Sequence, residues 1–231
     1  MTHIALVEDD PTLATNYVDI FARENWEVTV FGSREDASRE IPNLKIDIAV
    51  VDIGLGAETN GGFLLCKELR MLPETETLPI IFLTARTAEI DRIQGLQFGA
   101  DEYIPKNESI DLIVMRIKAL LRRIEFEHAP KETKQETIPI GSLVLYPGPS
   151  KATWRGQPVA ITVSEYDVVE KLARHPGMVY AHDQLTYKSA YVERNTTVSN
   201  IRRLRKKFEE VDPEFQSIVT EIGRGYSWKK V

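Results

Sequence analysis

Three consecutive carboxylates, Glu8, Asp9 and Asp10, follow the apolar run HIALV, and a fourth, Asp52, follows the run AVV. A hydroxyl, Thr84, ends the run LPIIFLT, and an ammonium, Lys106, follows DEYIP. Clustered carboxylates repel, a repulsion that a divalent cation relieves, and one or two carboxylates with a backbone oxygen and water suit Mg²⁺. The chemistry such a set permits is phosphoryl transfer to a carboxylate. Asp52 would be the nucleophile, Mg²⁺ and Lys106 would neutralise the equatorial oxygens, and Thr84 would hydrogen-bond one of them afterwards. Taken singly, Glu8 and Asp10 read as solvated residues capping a helix that starts at Pro11, Thr84 as an ordinary strand end and Lys106 as a surface lysine. Asp52 resists that reading, because an unpaired carboxylate behind an apolar run is costly. It is the conjunction of four strand ends that favours a functional site.

Those groups meet only if the runs before them are parallel strands of one sheet. HIALV, WEVTV, DIAVV, LPIIFL and DEYIP read as strands. PTLATNYVDIFAREN, SREDASREI, GGFLLCKELRML, ARTAEIDRIQGLQFG and ESIDLIVMRIKALLRR read as helices, so the order is a fivefold βα repeat. Apolar runs without alternation suit strands covered on both faces, hence a doubly wound parallel sheet with right-handed crossovers. In such a sheet, groups at the C-terminal strand ends converge on one crevice.

After ALLRRI, the stretch Glu125–Thr137, EFEHAPKETKQET, is polar and aperiodic and reads as a linker between residues 1–124 and 138–231. Beyond it, TIPIGSLVLYP, KATWRG and QPVAI read as short strands. A helix follows in which Ser164 is the expected N-cap, Asp167 its capping-box partner and Gly177 the residue after the stop. HDQLTYKS and NTTVSNIRRLRKKFEEV read as two more helices, and FQSIVTEIGRGYSWKKV as a hairpin turning at Gly223 to Gly225. Strands, three helices and a terminal hairpin describe an α+β winged helix. On its penultimate element, Ile201, Leu204 and Phe208 form a core stripe. Thr197, Ser199, Asn200 and Arg203 are then expected outside, with Arg203 contacting a base, Arg202, Arg205 and Lys206 contacting phosphates, and Arg224 entering a minor groove.

Charge divides as the patterns do. Residues 1–124 carry 13 Lys+Arg against 21 Asp+Glu, net −8, whereas residues 138–231 carry 14 against 10, net +4. An acidic half and a basic half imply different partners, with the basic one suited to a polyanion such as double-stranded DNA. At 42% hydrophobic content the chain can build ordinary cores, and no window has the eighteen or so apolar residues of a membrane span. The expected setting is cytoplasmic, with no membrane partner. Cys66, the single cysteine, reads as a small core residue of GGFLLCKEL.

Residues 1–124 resemble a response-regulator receiver through VEDD, VVDIGLG, LTAR, GLQFGADEYIPK and RIKALLRR. With residues 138–231, which match through TVSEYDVVEKLARHPGMVYAHDQL, NIRRLRKKF and GRGYSW, the chain is similar to the OmpR/PhoB family of two-component transcription factors. The resemblance implies a flavodoxin-like receiver in which Asp52 accepts phosphate from a sensor histidine kinase. Asp9, Asp52 and the Gly54 carbonyl would bind Mg²⁺, Glu8 would support the metal, Thr84 and Tyr103 would form the switch pair, and Lys106 would contact the phosphoryl group. It further implies phosphorylation-driven homodimers through the fourth helix, fifth strand and fifth helix, at positions matching Arg92, Asp101, Glu102, Asp111 and Arg116. Surface ion pairs of that kind are worth about 0 to 1 kcal/mol each, so Ile90 or Leu112 would contribute apolar contact.

The sequence departs from the family in three places. Lys106 is followed by Asn107 where proline is usual, and a cis bond to a non-proline costs roughly 3 kcal/mol, so a trans bond is expected. The loop GLGAETNGG after Asp52 is long and glycine-rich, and Glu58 is expected near the phosphoryl group. The segment YKSAYVERN is shorter than the loop with which some family members contact RNA polymerase. The long LLCKELRMLPETETLP connection and the missing Lys-Pro resemble a narrower group, regulators encoded with a dedicated proteobacterial sortase system. Two other readings stay open at this point: a DNA-binding regulator with a phosphorylation-independent receiver, and a Mg²⁺-dependent phosphatase. The second lacks the aspartate usual two residues after the nucleophile, where this chain has Gly54.

Overall fold

The computed structural model describes residues 1–85, 98–125, 137–147, 150–185 and 194–229. The chain divides into two compact units, Met1–Arg122 and Arg123–Val231. The expected linker falls largely on residues 126–136, outside the described ones.

In the first unit, strands β1 (His3–Val7), β2 (Glu27–Phe31), β3 (Ile48–Val51), β4 (Ile80–Thr84) and β5 (Glu102–Pro105) form one sheet. All its pairings are parallel, in the order β2-β1-β3-β4-β5. β3 and β4 are buried at every residue, β1 at all but its first, and the edge strand β2 at only one. That gradient is why the central strands are unbroken apolar runs and β2 mixes Glu27 and Thr29 with valines.

Helices α1 (Pro11–Arg23), α2 (Arg34–Glu40), α3 (Gly61–Arg70) and α4 (Ile110–Glu125) accompany the sheet. The expected fourth helix of the repeat falls largely on residues 86–97, outside the described ones. Asp10 caps α1, its Oδ1 accepting from Thr12 N and Leu13 N at 2.8 and 3.0 Å, and Pro11 at the first helical position gives up no hydrogen bond. α3 opens on two glycines for a steric reason. A Cβ at Gly62 would lie 2.1 Å from the Asp52 carbonyl oxygen, so this helix start touches the end of β3 and admits no side chain there.

The second unit opens with an antiparallel sheet of β6 (Ile138–Ile140), β7 (Leu143–Tyr146), β8 (Lys151–Trp154) and β9 (Gln157–Val159). α5 (Val163–Ala173) and α6 (Arg194–Val211) follow, then the hairpin β10 (Ile218–Glu221) and β11 (Gly225–Trp228). Trp154, Phe208, Phe215 and Trp228 pack ring to ring at its centre, all 7% exposed or less.

One local expectation is corrected in this unit. The N-cap of α5 is Thr162, with Glu165 as its capping-box partner, and Ser164 and Asp167 lie inside the helix. Both pairs share the required spacing, but only the earlier one buries Glu165 where cations from α6 meet it. The described part of HDQLTYKS holds a 3-10 turn, His182–Gln184, and residues 186–193, with the rest of the expected helix and most of YKSAYVERN, lie outside the described ones.

Candidate phosphoryl-accepting site and DNA-binding face

Adjacent parallel strands bring their C-terminal ends to one edge, and there the expected residues collect. Glu8 and Asp9 follow β1, Asp52 follows β3, and carboxylate oxygens of the three lie within 4.8 Å of one another. Lys106, following β5, reaches across with its Nζ 2.6 Å from Glu8 Oε2 and 2.7 Å from Asp52 Oδ2. Its backbone is pinned to β4 by a 2.7 Å bond from Lys106 N to the Thr84 carbonyl, and the peptide to Asn107 is trans. Asp52 Oδ1 accepts from Ile53 N at 2.6 Å, which aims the carboxylate. Thr84 is buried at the end of β4, and Tyr103 is buried on β5 with its ring 6.4 Å from Phe82.

Glu8 is only 4% exposed, and burial raises its carboxyl above the ordinary range although Lys106 partly offsets this. For Lys106, burial disfavours the charge, but its bonds to Asp52 and Glu8 outweigh that and hold the ammonium above its usual value. Three carboxylates against one ammonium leave two formal negative charges, and the donors are hard oxygens, so the cluster fits a divalent cation of the Mg²⁺ type.

Glu58 does not approach this centre. It turns to Arg34, whose Nε and Nη2 lie 2.6 and 3.1 Å from its two oxygens, because the guanidinium offers a fork that the acidic cluster does not.

Part of the expected dimer face makes contacts within the chain. Asp101 is buried, accepting from Ile80 N at 3.1 Å and pairing with Arg70 Nη2 at 3.2 Å within the chain. Glu102 and Arg116 pair with each other at 2.6 Å within the chain. Asp111 is exposed, and Arg92 and Ile90 lie outside the described residues.

On α6, Ile201, Leu204 and Phe208 are buried as the stripe requires, but the outward set differs from expectation. Thr197 is 1% exposed, its hydroxyl donating to the His182 carbonyl at 2.9 Å, and Asn200 is 9% exposed and accepts from Arg203. Arg203 also pairs with the buried Glu165 at 3.3 Å, and Lys207 joins that carboxylate at 2.7 Å. Burial alone would raise Glu165, but these cations and its capping role hold it below the ordinary carboxylate range. Arg205 donates to the Ile218 carbonyl and to Thr220 Oγ1, fastening α6 to the hairpin. Among the described side chains, α6 offers Val198, Arg202, Lys206, Glu209 and Glu210 to solvent, Lys206 lying 3.7 Å from Glu210, with Ser199 half-buried, and the hairpin tip offers Ile222 and Arg224. Val198, Ile222 and Glu165 were not singled out from the sequence.

Among the described residues, no helix is long and apolar enough to cross a membrane. A model of the response regulator receiver domain matches residues 4–118, and a model of the C-terminal domain of transcriptional regulatory proteins matches residues 156–228. The chain is 31% identical over 230 residues to the transcriptional regulatory protein BaeR of Escherichia coli O6:H1, covering 98% of this chain and 92% of that protein. It is 33% identical over 230 residues to the transcriptional regulatory protein CreB of Escherichia coli K12, covering 96% and 95%. A solved structure of a RitR mutant aligns over 100% of both chains with a TM-score of 0.63 at 22% identity, a likeness of fold. These matches do not reach the narrower sortase-associated group. A parallel sheet with an acidic cluster at its strand ends, an α+β unit closing on a hairpin, and relatives matched over nearly their whole length agree: the chain belongs to the OmpR/PhoB family of response regulators, two-component transcriptional regulators.

Proposed function

We propose that Asp52 accepts a phosphoryl group from a sensor histidine kinase, and that this modification promotes homodimerisation and binding of promoter DNA in the cytoplasm. The observation that carries the reading is Lys106 Nζ, 2.6 Å from Glu8 and 2.7 Å from Asp52 in a cluster still short of two positive charges. An oxygen of Asp52 attacks phosphorus, the bond from phosphorus to the histidine nitrogen breaks, and the electron pair stays on that nitrogen. Ile53 N and Lys106 hold the carboxylate in one orientation for that attack. Glu8, Asp9, Asp52 and the Gly54 carbonyl would hold Mg²⁺, which supplies charge neutralisation on the phosphoryl oxygens. Lys106 then exchanges a carboxylate contact for a phosphoryl oxygen, and the Thr84 hydroxyl, at the end of the neighbouring strand, takes another.

For DNA, we assign major-groove base contact to the exposed Val198 and the half-buried Ser199, phosphate contact to the exposed Arg202 and Lys206, and minor-groove contact to Arg224 with Ile222 beside it. Arg203, Asn200 and Thr197 support the helix from within. Dimerisation would use the apolar Ile110 and Met115, exposed on α4, together with Asp111. The test is sedimentation of the full chain with BeF₃⁻ and Mg²⁺. The expected result is a shift towards dimer that Asp52→Ala abolishes; identical behaviour of the two proteins would refute phosphoryl control.

A further inference from the structure

The segment from Ile53 to Gly62 carries the Gly54 carbonyl beside Asp52, and its conformation is held by two kinds of contact. Within the segment, Leu55 and Glu58 exchange two 3.0 Å backbone bonds, Gly61 N donates to the Glu58 carbonyl at 3.1 Å, and Gly62 N donates to the Ile53 carbonyl at 2.9 Å. Beyond the segment stands Arg34, at the first turn of α2, which Ser33 caps just after β2 has ended. Its guanidinium grips both oxygens of Glu58 and, through Nη1 at 2.7 Å, also Glu68 Oε1 on α3. The sequence makes room for this: a Cβ at Gly61 would lie 3.1 Å from Glu58 Oε2.

We propose that Arg34 is a positioning residue for the phosphoryl-accepting site, fixing through Glu58 the loop that presents the Gly54 carbonyl next to Asp52. This rests on the reading of Glu8, Asp9, Asp52 and Gly54 as the cation site. The reasoning is one of preorganisation. Gly54 and Gly56, the latter at φ +59°, give the backbone conformational freedom, and a carbonyl ligand that must first be ordered binds a cation more weakly than one already in place. Arg34 touches neither cation nor phosphoryl group. It acts through a fork that one lysine cannot reproduce, because Glu58 and Glu68 are engaged by different guanidinium nitrogens.

The experiment is calorimetric titration of the full-length protein with Mg²⁺ alone, beside a thermal melt of each variant. Arg34→Ala and Glu58→Gln should each weaken Mg²⁺ binding by about fivefold, below the roughly 10- to 100-fold typical of direct outer partners of a metal ligand. The double variant should be no weaker than either single one, because both changes remove the same contact. The exchanged pair Arg34→Glu with Glu58→Arg should recover part of the affinity. Glu58→Gln alters an accessible side chain and keeps its shape, so it tests the idea even if Arg34→Ala folds poorly. Wild-type affinity in both single variants, with only the melting temperature lowered, overturns the proposal and leaves the cation site standing. No Mg²⁺ uptake by the wild type, or uptake unchanged by Asp52→Asn, overturns the cation site and this inference with it.

Discussion

Glu165→Gln isolates a buried charge with little change of shape. The carboxylate is 1% exposed and meets Lys207 at 2.7 Å and Arg203 at 3.3 Å, while its Oε2 accepts from Thr162 N at 2.9 Å. The glutamine amide oxygen can keep that last bond, so the capping box survives and the loss is the attraction to two cations. Breaking a fully buried pair costs about 3 to 5 kcal/mol when a charge is stranded. Here the stranded groups are cations 17% and 29% exposed, which recover part of their hydration, so about 2 kcal/mol is the expected cost, or roughly 10 °C in the melting temperature of this unit. Because the folded-state pKa of Glu165 lies below the ordinary 4.5, its stabilisation is fully present above that value and is lost as pH falls through the lowered one. Wild type and variant should therefore differ at pH 7 and converge in acid, where protonated glutamic acid resembles glutamine. Urea unfolding followed by tryptophan fluorescence in a Trp26→Phe background reads this unit through Trp154 and Trp228, both in its core. A difference that is the same at pH 3 and pH 7 would refute the electrostatic assignment.

Gly62→Ala places a methyl group 2.1 Å from the Asp52 carbonyl oxygen, and overpacking of that kind typically costs about 1 to 3 kcal/mol. The receiver should melt lower and lose its dimer response to BeF₃⁻; wild-type melting would mean that α3 can retreat without consequence. Arg202→Ala should weaken binding to all DNA sequences alike and reduce the salt-dependence slope by about one, whereas Val198→Ala should change preference at one base position. Equal effects of the two on specific and non-specific DNA would remove Val198 from the reading face.

The receiver sheet was legible because burial on both faces leaves a composition that little else produces, and the crevice followed from parallel topology alone. That is how residues as distant in sequence as Glu8, Asp52 and Lys106 could be named together. The rest depended on partners that periodicity does not reveal. On α6 the stripe Ile201, Leu204, Phe208, extended back one turn, arrives at Thr197, and Asn200 lies one turn before Leu204; their polarity suggested solvent. Asn200 accepts from Arg203, three residues on in the same helix, and Thr197 is buried because the His182 carbonyl awaits its hydroxyl across the fold. The same holds for Glu58 and Asp101, whose arginine partners lie 24 and 31 residues away.

Helix caps show the limit more sharply. Thr162–Glu165 and Ser164–Asp167 have the same spacing, and local propensity hardly separates Thr from Ser or Glu from Asp at these positions. What separates them is the destination of the acidic side chain. A helix beginning at Val163 sends Glu165 into contact with Arg203 and Lys207, so a contact between residues 38 positions apart selects the start of the helix and the orientation of α6 together. The two charged clusters then differ in balance. Three carboxylates share Lys106 in the receiver, leaving net negative charge for a divalent cation to balance, whereas Glu165 is outnumbered by its cations. Glu165 holds the inner side of α6, and the exposed Arg202 and Lys206 remain for a polyanion. In each unit the unbalanced sign is opposite to that of the ligand we assign to it.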